Sequence, residues 1–196
     1  MRIIAGYHRG RKIESPEGTS TRPMTDRVRQ SLFNLLGETI QAAVVLDVFC
    51  GSGALGLESL SRGAASCTFV DADPEAIRIV EANCNHLKVS GQVRILTRNV
   101  LRPGAWVKPH GAAAYTHVFM DPPYKMSADP AGQEQLAAAA RQLVELGAAI
   151  PGTLWMLRTQ RGVQIPLPWP GFDVFDERSY GSTTLYLMVY HGRKPE

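Results

Sequence analysis

The sequence predicts an α/β fold: a Rossmann-like, mostly parallel sheet that ends in an antiparallel hairpin. Three observations carry this. Apolar runs of strand length alternate with helical patterns along most of the chain. The run at 43–48 is continuously apolar apart from Asp47 and leads into a glycine loop and a helix, as a buried parallel strand does. The runs at 173–179 and 183–191 instead alternate with period two and are split by Tyr180-Gly181-Ser182, which marks a hairpin.

The elements follow in order. Residues 2–5 and 11–13 read as short strands around Gly6 and Gly10, and 15–24 as a Ser, Thr, Pro and Gly loop. Thr25 is placed to cap a helix from Asp26 to about Ile40, with Val28, Leu32, Leu35, Leu36 and Ile40 at helical spacing. After the glycine loop a helix spans 54–61, stopped by Gly63. A strand at 66–70 precedes a helix that Pro74 opens and that reaches about residue 89. Strands follow at 92–97 and 117–120, then an Ala-rich helix over 131–146 closed by Gly147, then a strand at 153–158. The domain reading is a basic hairpin-and-loop extension over 1–24 and one Rossmann-like domain over 25–196.

Composition narrows the function classes. At 196 residues, 44% hydrophobic and 20% charged, the chain resembles neither a disordered segment nor a disulfide-stapled miniprotein. No apolar run approaches the roughly 20 residues that cross a bilayer, and the first residues lack the apolar stretch of a signal peptide, so a cytoplasmic protein away from membranes is expected. Cys50, Cys67 and Cys84 lie 17 residues apart, and the five histidines do not pair with them at metal spacing, so no metal is expected. Charge is uneven. Residues 1–29 hold seven Lys/Arg against three acids, a net of +4, while the whole chain carries +3. A basic segment on a near-neutral body suits a phosphate backbone.

The segment Asp47-Val48-Phe49-Cys50-Gly51-Ser52-Gly53-Ala54-Leu55-Gly56 contains GxGxxG between a strand and a helix. Asp71 ends the next strand 20 residues after Gly51, where a carboxylate can accept from ribose hydroxyls, and Asp73 competes for that role. An adenosine cofactor is the leading reading. Dinucleotide sites hold a pyrophosphate at the helix N-terminus. Asp47 at the end of the strand would repel phosphate but suit a cation, which favours S-adenosylmethionine over a nicotinamide dinucleotide.

Asp121-Pro122-Pro123-Tyr124 closes the fourth parallel strand, at the carboxyl edge where open α/β sheets bind ligands. Two prolines stiffen the loop and remove two donors, leaving the Asp121 carboxylate and the Pro122 carbonyl as acceptors. The amino nitrogen of a nucleobase is conjugated with its ring and is a poor nucleophile. Two acceptors holding its N–H groups free the lone pair and stabilise the positive charge that develops on methylation. Tyr124 supplies a stacking plane, and a base within a duplex must first be extruded.

These motifs resemble the class I methyltransferases that act on amino groups. The N-terminal residues Met1-Arg2-Ile3-Ile4-Ala5-Gly6-Tyr7-His8-Arg9-Gly10-Arg11-Lys12-Ile13 and Thr21-Arg22-Pro23-Met24-Thr25-Asp26-Arg27-Val28-Arg29-Gln30 are similar to those of the RsmD family, whose members methylate N2 of a guanine in bacterial 16S rRNA. The resemblance implies a methyltransferase that acts, as a monomer, on small-subunit rRNA in an assembled or assembling subunit. It implies cofactor contacts at Asp47, Phe49, Cys50, Gly51, Ser52, Gly53, Asp71 and Ala72, and at Asn99 and Val100 beside the adenine, where Asn99 stands in place of the family's usual Asp. It implies catalytic roles for Asp121, Pro122, Pro123 and Tyr124, and RNA contacts for Arg9, Arg11, Arg22, Arg27, Arg29 and Arg178. Three other readings stay open: a DNA adenine N6 methyltransferase, a nicotinamide oxidoreductase, and a non-catalytic RNA-binding assembly factor.

Overall fold

Val44, Val45 and Val48 are β-branched, and the strand they form is buried along nearly its whole length (β1, Val44–Val48). It pairs in parallel with β2 (Ser66–Asp71), which pairs in parallel with β3 (Val93–Thr97). The computed structural model describes residues 1–15, 24–104, 107 and 113–192. They fall into two units, Met1–Arg98 and Asn99–Glu196.

In the first unit the strands lie in the order β3-β2-β1. Three helices accompany them: α1 (Asp26–Leu36), α2 (Ala54–Ser61) and α3 (Pro74–Leu87). Helices α2 and α3 pack on the strands, burying Leu57, Phe69, Val70 and Val80 completely. Thr25 caps α1 by accepting from the Val28 amide, a contact worth about 1 kcal/mol. The helix expected to reach Ile40 ends at Leu36 because Gly37 takes φ 54°, and residues Gly37–Ile40 tighten into a 3-10 turn. Asp73 caps α3 through its side chain, and Lys88 closes that helix in the left-handed conformation.

The expected N-terminal strands reduce to one antiparallel bridge, Arg2 to Lys12. This turn is held by α2 rather than by a sheet. Glu58, fully buried on α2, accepts from the amides of Ile4 at 2.8 Å and Ala5 at 3.1 Å. Ser61 Oγ donates to the Ala5 carbonyl and accepts from the His8 amide, and the Ser61 carbonyl accepts from the Tyr7 amide. Gly6 must be glycine here: at φ 78° a Cβ would stand 1.7 Å from the Ser61 carbonyl oxygen.

The second unit holds β4 (Tyr115–Met120), α4 (Tyr124–Ala128), α5 (Pro130–Glu145), β5 (Ala149–Gln160), β6 (Phe172–Tyr180) and β7 (Thr183–Tyr190). The strand order is β4-β5-β7-β6. β4 and β5 are parallel, while β7 runs antiparallel to both β5 and β6. The expected terminal hairpin is present, turned at Gly181 with φ 57°. Asp129 caps α5 and Pro130 opens it, so this helix starts one residue before the expected position. Its buried face is Leu136, Ala139, Ala140 and Leu143. Trp155 packs edge-on against Phe172, 5.1 Å between centroids, in the core of this unit. The described residues form seven strands, mostly parallel with β7 reversed between β5 and β6, the α/β class read from the sequence.

Candidate active site

The first unit carries a cradle built on the glycine loop. Asp47, on β1 and only 1% exposed, accepts from the Gly56 amide in the first turn of α2 at 2.9 Å. The carboxylate thereby pins the helix start to the strand end. Between them Phe49, Gly51 and Gly53 all take positive φ (57°, 52° and 74°). Phe49 is a non-glycine residue held in this sparsely populated region, which marks a strained, over-determined turn. A Cβ on Gly51 would meet only open space, so the backbone there is approachable by a ligand. Gly56 has a different reason: a Cβ would lie 2.3 Å from Phe69 Cε1 and 2.5 Å from Cys67 Sγ, so glycine lets α2 close onto β2.

Asp71 ends β2 half-exposed. Its Oδ2 accepts from the Gly51 amide at 2.9 Å and its Oδ1 from the Asp73 amide at 3.0 Å. Each oxygen keeps a second acceptor site for a ribose hydroxyl. Asp73, the competitor for that role, uses its carboxylate on the Glu75 amide at the start of α3. Ala72 is exposed beside it. Ser52 is buried, and its carbonyl accepts from Asn83 Nδ2, which also donates to the Glu14 carbonyl, while Asn83 Oδ1 accepts from the Glu14 amide. The Cys50 thiol is pushed well above its ordinary pKa by burial, with the Asp47 and Asp71 carboxylates adding to the effect. It is a neutral lining group and not a nucleophile. The backbone amides and carboxylates of this cradle fit a ligand that carries ribose hydroxyls and positive charge.

The second unit carries the Asp121 loop. Pro123 N-caps α4, a short helix that the sequence pattern did not reveal, and its carbonyl accepts from the Met126 amide at 2.9 Å. Tyr124 therefore starts a helix, and its side chain is held by two groups. Its hydroxyl bonds Thr183 at the start of β7, and the Arg158 guanidinium lies over the ring at 5.2 Å from the centroid. Arg158 Nε sits 2.6 Å from Asp121 Oδ1. Burial pushes the Asp121 carboxyl up to about 6, against the opposing pull of Arg158. Of this unit's expected cofactor residues, Val100 is buried, and exposed Asn99 turns its Oδ1 back onto the Leu101 amide at 2.9 Å.

The expected RNA-contacting arginines divide. Arg9, Arg11 and Arg27 are exposed, with Arg11 within 3.4 Å of the His86 carbonyl. Arg29 is corrected: it is fully buried and bonds the Arg2 carbonyl and Asp26, so it anchors the N-terminal turn to α1 and offers no surface to a polyanion. Arg178 is exposed but paired through two nitrogens with Asp176, at 2.8 and 3.1 Å. Arg22 lies outside the described residues. Arg158, Thr183, Glu58 and Asn83 had no role in the sequence reading. A usable signal existed for Arg158 alone, as a lone charge ending an apolar strand at the same sheet edge as Asp121. Among the described residues no cluster of His, Cys, Asp and Glu could hold a metal, and no helix is long and apolar enough to cross a membrane.

An α/β fold of this order, with a glycine cradle and an Asp-Pro-Pro-Tyr loop, defines a class I methyltransferase. The chain belongs to the RsmD family, whose model, described as conserved hypothetical protein 95, matches residues 1–189. It is 40% identical over 125 residues to YlbH of Bacillus subtilis, covering 64% of this chain and 67% of that protein. It is 42% identical over 125 residues to ribosomal RNA small subunit methyltransferase D of Escherichia coli, covering 64% of this chain and 61% of that protein. The solved yhhF protein of Escherichia coli superposes with a TM-score of 0.81 at 32% identity, over 97% of this chain and 98% of that one. An RNA methyltransferase from Salinibacter ruber, solved with S-adenosyl-L-homocysteine, shares the fold at a TM-score of 0.64 and 15% identity, over 89% of this chain and 97% of that one.

Proposed function

We propose that this chain transfers the methyl group of S-adenosylmethionine to N2 of a guanine in small-subunit rRNA, acting as a monomer on an assembled or assembling subunit. The observation that carries the reading is the Asp121 loop, a carboxylate and a proline carbonyl at the end of β4 beside a tyrosine ring clamped on one side by Arg158. The named activity of the Escherichia coli relative supports the rRNA substrate, as do exposed Arg9, Arg11 and Arg27.

S-adenosylmethionine, when bound, supplies a methyl group activated by its sulfonium. Asp71 holds the ribose hydroxyls, and the amides around Gly51 and Gly53 line the rest of the cradle. On the second unit, Asp121 and the Pro122 carbonyl each accept one N–H of the guanine amino group. Pro123 is unavailable because its carbonyl serves α4. This draws the nitrogen towards tetrahedral geometry and localises its lone pair. The positive charge that grows on nitrogen meets the ionised Asp121, an electrostatic contribution of the kind that typically supplies 10²–10³ in rate, or about 3–4 kcal/mol. The methylated nitrogen is acidic and loses its proton without a strong base. Tyr124 stacks the base on the ring face opposite Arg158.

The test is transfer of labelled methyl to small subunits that lack the modification, with the product nucleoside identified by mass spectrometry. N2-methylguanosine at one site supports the reading. N6-methyladenine from DNA instead, or no transfer despite demonstrated cofactor binding, overturns it. In the same assay Asp121→Ala should lose at least about 10²-fold in kcat while cofactor affinity stays unchanged.

A further inference from the structure

We propose that Arg158 is a positioning residue for methyl transfer, locking the acceptor Asp121 and the stacking ring of Tyr124 into one arrangement. This rests on the reading that the Asp121 loop receives the target base.

The placement follows from register. β4 and β5 run parallel with Met120 opposite Leu157, so the next residue of each strand, Asp121 and Arg158, emerges side by side at the carboxyl edge. The Arg158 side chain is 4% exposed and that of Asp121 17%. Arg158 is thus beneath the site surface and acts through its neighbours, not on the base. One planar guanidinium serves two partners. Its Nε approaches Asp121 Oδ1 at 2.6 Å, and its ζ-carbon stands over the Tyr124 ring at 5.2 Å. The far end of that ring is tied to Thr183 on β7. Three strands therefore fix the carboxylate and the ring relative to each other.

The charge matters as much as the geometry. A cation facing an amino group that is becoming positive would slow the reaction. Here the Arg158 charge is met by Asp121, and the contact on Oδ1 assigns the amino group to Oδ2. Arg158 from β5 is the charged group that meets Asp121, while Tyr124 from α4 lies against the same guanidinium and bonds neutral Thr183 from β7. Burial favours the protonated carboxyl, and Arg158 opposes this. Without Arg158 the acceptor would be neutral over more of the physiological range.

The experiment measures methyl transfer to unmodified small subunits from pH 5 to 9 by the wild type, Arg158→Met and Arg158→Lys, with cofactor affinity measured alongside. For Arg158→Met we expect a fall in kcat of about 10²-fold at pH 7, an acid limb moved up by about one pH unit, and partial recovery at high pH. Cofactor affinity should stay within about twofold, since no cofactor contact is removed. Arg158→Lys keeps the charge without the planar fork, so it should hold the wild-type limb and recover part of the rate. A wild-type limb in Arg158→Met, or a loss by one constant factor at every pH, overturns the proposal. If Arg158→Met does not fold, Arg158→Lys decides: a several-fold lower kcat with limb and KM kept supports the proposal, and an unchanged kcat overturns it. A wild-type protein that binds cofactor but methylates nothing is a separate result, seen before any variant, and overturns the functional reading itself.

Discussion

The Asp71 carboxylate accepts the Gly51 amide at 2.9 Å, tying the end of β2 to the glycine loop that leaves β1. One side chain thus braces the cradle and presents acceptors to it. Asp71→Ala should remove both functions. A charge-assisted hydrogen bond contributes about 1.5–3 kcal/mol, so S-adenosylmethionine affinity should weaken by about 10- to 100-fold. Calorimetric titration checks this, and an unchanged Kd would show that Asp71 serves the loop alone.

Methyl transfer should fall on the acid side of about pH 6. The Asp121 carboxyl is pushed up to about 6 by burial, so it is ionised and accepting above that value and protonated below it. Loss of the acceptor on protonation gives kcat a slope of about one decade per pH unit below the limb. A kcat that stays flat down to pH 5 would show that the ionised carboxylate is not required.

Glu58 is fully buried and satisfied by the Ile4 and Ala5 amides and by Arg62 at 2.7 Å. Glu58→Ala leaves those donors without an acceptor. Breaking such a buried pair costs about 3–5 kcal/mol, or roughly 6–20 °C in Tm for a chain of this size. The N-terminal turn should also become cleavable by protease at low enzyme ratios. A Tm within about 2 °C of wild type would mean that the turn is held by other contacts.

Arg27 and Arg29 are two residues apart on α1 and should behave oppositely. Arg27 is exposed, so Arg27→Ala should leave Tm unchanged and reduce the salt dependence of RNA binding by about one unit of log–log slope. Arg29 is buried against Asp26 and the Arg2 carbonyl, so Arg29→Ala should lower Tm before it alters the salt slope. Salt-titrated binding beside thermal melts separates the two, and an altered slope for Arg29→Ala in the folded state would contradict its buried role.

Much of this protein was determined by local sequence. A nearly continuous apolar run gave β1, period-two alternation gave the β6–β7 hairpin, and Thr25, Pro74 and Gly63 marked helix ends, because each acts through backbone geometry within a few residues. The glycine loop, Asp71 and Asp121-Pro122-Pro123-Tyr124 were legible for the same reason: their chemistry requires particular residue types at fixed offsets from a strand end. Helix α4 was not, since five residues without an apolar period carry no signal and the helix depends on its Pro123 cap.

Only the tertiary structure decided what the charged residues do. The sequence places Arg27 and Arg29 in one basic segment, yet burial sends one to solvent and the other into an anchor. It leaves Arg158 as the last residue of an apolar strand, and the parallel register of β4 with β5 sets it beside Asp121. A charge has no periodicity to announce its partner. Its role depends on which distant group folding brings within a few ångströms and how much water remains between them, and strand register and burial fix both.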